Sequence, residues 1–78
     1  MSITVLYFAS LRDAAGMASE IVDRPASLPE LYVQLRARHG FAMAPDKLRV
    51  AVDGAFSDWS ATVSDGAEIA FIPPVSGG

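Results

Sequence analysis

Ser27-Leu28-Pro29-Glu30-Leu31-Tyr32-Val33-Gln34-Leu35-Arg36-Ala37-Arg38-His39-Gly40 is the one segment of the chain that carries a complete set of helix signals. Ser27 and Glu30 form a capping box, and Pro29 sits in the first turn, where its missing N–H costs nothing. Leu28, Leu31 and Leu35 fall at helical spacing and give one narrow apolar stripe. Arg36, Arg38 and His39 gather in the last turn, where the helix dipole favours positive charge, and Gly40 stands where a terminating glycine is expected. The segment predicts one amphipathic helix over residues 27–39, suited to lie across a sheet. His39, the single histidine, reads as a capping group at its end.

Strand signals flank this helix on both sides. Ile3–Ala9 is rich in β-branched and aromatic residues, with Ile3, Val5 and Tyr7 on one alternating face and Leu6 and Phe8 on the other. Ser10 stands three residues before Asp13, which predicts a short helix capped by Ser10 and stopped at Gly16. Ala18–Val22 reads as a second strand, with Asp23-Arg24-Pro25 as its exit. After the main helix, Leu48–Val52 alternates into Asp53-Gly54, the strongest hairpin signal in the chain. Asp65-Gly66 is a second turn, and Ala67–Ile72 reads as the last strand, with Ile69 and Phe71 inward and Glu68, Ala70 and Ile72 outward. Four or five short strands and one good helix make an α+β domain, a mixed sheet wrapped around the helix.

Composition narrows the function. The chain has 78 residues, is 51% hydrophobic and 19% charged, and carries a net charge of −3, values that suit one core-building domain. It has no cysteine and one histidine, which excludes thiol nucleophiles and Cys-ligated zinc and leaves no basis for a His-based metal site. The acidic balance argues against nucleic acid as a partner. The first basic residue, Arg12, follows the apolar segment rather than preceding it, and the longest apolar run, Val5–Ala9, is far too short to span a bilayer. A cytoplasmic address is expected. No Gly-rich phosphate loop, paired carboxylates or nucleophile–base arrangement is present. Trp59 reads as a packing residue and Arg12 as surface charge.

The end of the chain, Phe71-Ile72-Pro73-Pro74-Val75-Ser76-Gly77-Gly78, is of another kind. Two prolines cannot donate to a sheet ladder, so the last strand must end at Pro73, and they hold the chain extended. Pro73–Gly78 reaches about 20 Å when extended, and it narrows to two residues without side chains. Such a tail can thread a tunnel in another protein and present the α-carboxylate of Gly78 there. Adenylation at the expense of ATP would make that carboxylate reactive toward a nucleophile, a sulfur donor included. The reading divides the chain into a folded unit over residues 1–72 and an extended tail over residues 73–78.

VLYFASLRDAAG at 5–16, DGAEIAFIPP at 65–74 and the ending FIPPVSGG at 71–78 together resemble the family of small, sulfur-carrying subunits of molybdopterin synthase. The likeness spans essentially the whole chain and is weakest over Arg24–Lys47. It implies the ubiquitin-like β-grasp fold. It also implies that Gly78 is the carrier, as a thiocarboxylate, while Pro73, Pro74, Val75, Ser76 and Gly77 thread the partner's active site.

Three partners follow from the resemblance. An adenylating enzyme of the ubiquitin-activating type would use MgATP, the carrier itself binding no cofactor, and a sulfurtransferase would supply sulfur. The large synthase subunit would bind the carrier in a heterotetramer and add sulfur to cyclic pyranopterin monophosphate. Phe8, Phe56 and Ile72 would contribute to the apolar patch that meets these partners. Asp53 departs from the asparagine common in relatives, which bears on any hydrogen bond an amide would donate to a partner. Two other readings share the Gly-Gly end: a sulfur carrier for thiamine or another product, and a ubiquitin-like protein modifier.

Overall fold

The computed structural model describes residues 1–74. Strands β1 (Ser2–Tyr7), β2 (Ser19–Asp23), β3 (Arg49–Val52), β4 (Ala55–Ser57) and β5 (Glu68–Ile72) form one five-stranded sheet in the order β2-β1-β5-β3-β4. β1 and β5 run parallel at its centre, and the other pairings are antiparallel. Helix α1 (Ala9–Ala15) links β1 to β2, and helix α2 (Leu28–His39) links β2 to β3.

Helix α2 forms as its sequence predicts. The Ser27 hydroxyl accepts a hydrogen bond from the Glu30 N–H at 3.2 Å. At the other end Gly40 takes φ 73°, the left-handed conformation in which a Cβ is strained, and its N–H donates to the Arg36 carbonyl. Leu28, Leu31 and Leu35 are buried, joined by Tyr32. They pack on the sheet face made by Ile3, Val5, Tyr7, Val50, Ile69 and Phe71. Full burial of each such side chain contributes roughly 1.5–3 kcal/mol relative to exposure, so this interface supplies most of the driving force for folding.

Trp59 is a packing residue, as expected. Its ring stacks on Phe71 with centroids 5.6 Å apart and meets Tyr32 edge-on at 6.0 Å. The loop after α2 is fastened by side chains of that helix: Arg36 Nε donates to the Phe41 carbonyl at 3.0 Å, and the Tyr32 hydroxyl to the Met43 carbonyl at 2.8 Å. A single 3₁₀ turn, Pro45–Lys47, which sequence patterning does not reveal, then leads into β3.

Three local expectations need correction. Strand β1 ends at Tyr7, two residues earlier than Ile3–Ala9 implies, and Ser10 does not cap α1. The N-cap is Phe8, still extended at φ −129°, whose carbonyl accepts from the N–H groups of Leu11 and Arg12 without help from any side chain. Burying Leu11 fixes the phase of this helix, and Ala9 takes a left-handed φ of 49° to turn from strand into helix. His39 likewise does not cap α2: its imidazole binds a side chain of β2, described below.

The Asp53-Gly54 hairpin forms as predicted. Both residues have positive φ, 51° and 86°, as a two-residue turn of the right twist demands. The Asp53 N–H donates to the Glu68 carbonyl at 2.8 Å, and Asp53 Oδ1 accepts from the Glu68 N–H at 2.9 Å. The Asp53 side chain is therefore used inside the molecule, through an oxygen that an asparagine also possesses.

Candidate functional site

Strand β5 lies between β1 and β3 and is hydrogen-bonded on both sides, so the segment that follows it leaves from a rigid base. Ile72 ends the strand, and Pro73 and Pro74, which cannot extend the ladder, carry the chain out. Pro73 is buried and Pro74 exposed. Around their exit a groove of about 680 Å³ is lined by Phe8, Ala9, Ser10, Met43, Ile72 and the two prolines. Of the residues expected at the tail and interface, Phe8, Ile72, Pro73 and Pro74 thus come together in one place. Val75, Ser76, Gly77 and Gly78 lie outside the described residues.

The sheet has its helix on one face only, and the other face is apolar too. Register places Leu6, Ala70, Ala51 and Phe56 in one row across β1, β5, β3 and β4. Ala51 and Ala70 are only 7% and 8% exposed although they face away from α2. Phe8 and Phe56 are 44% and 62% exposed. Phe56 sits on the edge strand and does not line the groove, so the three expected interface residues occupy two ends of one surface rather than one cluster.

A polar cluster on the helix side was not anticipated from the sequence. Glu20 of β2 accepts from the Tyr7 hydroxyl, its Oε1 lies 2.6 Å from His39 Nε2, and its Oε2 is 3.3 Å from Arg38. A carboxylate only accepts, so the ring nitrogen donates. Burial pushes the Glu20 carboxyl up, but the hydrogen bonds from Tyr7 and His39 and the charges beside it outweigh that, and it is held below the ordinary carboxylate range. The Tyr7 phenol is pushed well above its usual value, by burial first and then by its bond to Glu20. With its oxygens occupied by donors, Glu20 is a poor base and a good clasp between β2 and the end of α2. Period-2 and period-3.6 patterns carry no trace of it, since its members stand 13 and 19 residues apart.

Among the described residues no group of three or more His, Cys, Asp or Glu side chains could hold a metal ion, and no helix is long and apolar enough to cross a membrane. Residues 5–78 match the ThiS family.

The chain belongs to the ThiS family.

Among its relatives, the molybdopterin synthase sulfur carrier subunit of Escherichia coli strain K12 is 34% identical over 80 residues, covering 97% of this chain and 99% of that protein. The human protein of the same name is 33% identical over 82 residues, covering 97% and 93%. Among solved structures, SAMP1 from Haloferax volcanii superposes with a TM-score of 0.80 at 26% identity over the full length of both chains. The fold is the ubiquitin-like β-grasp, in agreement with the resemblance read from the sequence. The ThiS family match extends through the tail to Gly78. The groove residues Ala9 and Met43 escaped sequence reasoning, because neither carries a chemical signature and only the fold brings the start of α1 and the loop after α2 together with Ile72.

Proposed function

We propose that this chain is the sulfur-carrier subunit of a molybdopterin synthase and that the α-carboxylate of Gly78 is its working group. One observation carries the reading: near end-to-end similarity, at 34% identity, to a relative of that name. The human relative bears the same name, which favours this reading over a thiamine-type carrier or a protein modifier. The geometry supports it physically. A central strand fixes the base of the tail, two prolines keep its first residues out of the sheet, and no side chain of the domain is needed for chemistry.

Loading takes three steps, and delivery follows. An adenylating enzyme joins the Gly78 carboxylate to the AMP moiety of MgATP and releases pyrophosphate. A persulfide sulfur on a sulfurtransferase attacks the acyl carbon and expels AMP. A second thiol then cleaves the resulting sulfur–sulfur bond, leaving the thiocarboxylate on Gly78 and a disulfide between the two thiols. The loaded carrier docks on the large subunit through Phe8, Ile72 and Phe56 in a heterotetramer, and Pro73, Pro74, Val75, Ser76 and Gly77 enter the active site. Sulfur passes to cyclic pyranopterin monophosphate, and the catalytic side chains and MgATP belong to the partners.

Intact-protein mass spectrometry tests this. After incubation with the activating enzyme, ATP and a persulfide donor, the expected result is one oxygen replaced by sulfur. An unchanged mass, under conditions that convert the Escherichia coli relative, would overturn it.

A further inference from the structure

The open face of the sheet carries its charge unevenly. Among the five strands Arg49 is the single basic residue. It is the register partner of Ile72 in the antiparallel β3–β5 pair, on the face opposite Val50, and so stands beside the base of the tail. Its guanidinium carbon lies 4.5 Å from the centroid of the Phe56 ring, within cation–π range. Among the described residues no carboxylate pairs with it. The acids on this face, Glu68 of β5 and Asp23 of β2, register with Thr4 and Ser2 at the far end. Glu68 is four residues before Ile72 on β5, about 13 Å away at strand spacing.

A guanidinium stacked on an aromatic ring is oriented and partly stripped of water before any partner arrives. Covering this face with a purely apolar surface would bury that charge without a counter-ion, at a cost of several kcal/mol. The apolar row of Leu6, Ala70 and Ala51 cannot fix a register alone, because such contacts are not directional. A charge at the tail end and opposite charges at the far end can. We propose that Arg49 is a specificity-determining residue of the carrier. On the reading above that this face docks on the large synthase subunit, the subunit presents a carboxylate to Arg49 next to the tail entrance. This pair sets the angle at which the tail is fed in, while Phe56 holds the guanidinium flat for two-pronged contact.

The test is binding of the full chain to the large synthase subunit encoded by the same genome, titrated at low and high salt. The wild-type complex should weaken as salt rises. Arg49→Leu should lose about 30-fold or more in affinity at low salt, as for a charge pair truncated inside an interface, and respond little to salt. Arg49→Lys should recover only part, since an ammonium lacks the planar fork, and Arg49→Glu should bind worst. Thermal unfolding of each variant separates these effects from folding, and Arg49→Gln replaces Arg49→Leu if the latter does not fold. Arg49→Leu binding as tightly as wild type, with the same salt dependence, would overturn the assignment of Arg49 alone. Failure of the wild-type chain to bind the large subunit would overturn the proposed function and this inference with it.

Discussion

The two faces of the sheet are built from the same alternating strands and serve different ends. Val5, Tyr7, Ile69, Phe71 and Val50 point toward α2 and are sealed by it. Leu6, Ala70, Ala51 and Phe56 point the other way, with no helix over them and with Phe56 62% exposed. On the first face apolar area drives folding. On the second, the same chemistry stays uncovered, which the proposed function assigns to association, and two alanines keep the middle of the face low. A carrier of the proposed function, which docks on partners in succession, would need both: one face closed for good, the other free to be covered and uncovered.

Changes confined to the tail should show the largest contrast with the core. Deleting Gly77 and Gly78 is expected to abolish sulfur loading, read by intact mass, while the thermal unfolding transition stays where it is. A large drop in unfolding temperature would instead make the tail part of the fold. Phe71→Ala tests the closed face. It should cost about 3–5 kcal/mol of stability in denaturant unfolding, with loading retained by whatever fraction stays folded. Phe56→Asp tests the open face. Binding to the large subunit should fall about tenfold or more, as for an interface anchor, while stability shifts by only about 0.5 kcal/mol. Equal losses in both measurements would place Phe56 with the core.

The edge of the closed face supplies a pH-dependent prediction. The folded Glu20 carboxyl titrates below its unfolded value. Its contribution is therefore present above the ordinary carboxylate range and is lost as pH falls through the lowered folded value. Glu20→Gln should flatten the acid limb of a stability–pH curve measured by urea midpoints, and an unchanged limb would argue against the clasp. The smallest effect is expected at the turn. Asp53→Asn keeps the oxygen that accepts from the Glu68 N–H, so unfolding midpoints should agree within about 0.5 kcal/mol.

Particular residues show how far the sequence could be read. Ser27, Pro29, Glu30 and Gly40 located α2 because capping is local chemistry, and Asp53-Gly54 located a hairpin for the same reason. The Ser10–Asp13 spacing met the same capping rule and misled, because burial of Leu11 outweighed a cap worth about 1 kcal/mol. Alternation put Phe8 and Ile72 on the open face and the resemblance added Phe56 to them, yet neither could separate Phe56 from the groove that Phe8 and Ile72 share with Met43. Arg49 was within reach of the same alternation, but a lone arginine on a strand carries no meaning until Phe56 and the tail are seen beside it.

By itself, then, the sequence determined the α+β class, the helix and its ends, the β3–β4 turn, the inward and outward sides of β1 and β5, and the stop at Pro73. All of these follow from backbone preferences and from periods of 2 and 3.6 residues. Only the tertiary structure decided that β5 lies between β1 and β3, that Glu20 joins Tyr7 to His39, and that Arg49, the register partner of Ile72, rests on Phe56. The lateral order of strands is chosen by burial of the whole sheet against α2, a collective quantity that no fixed spacing along the chain records.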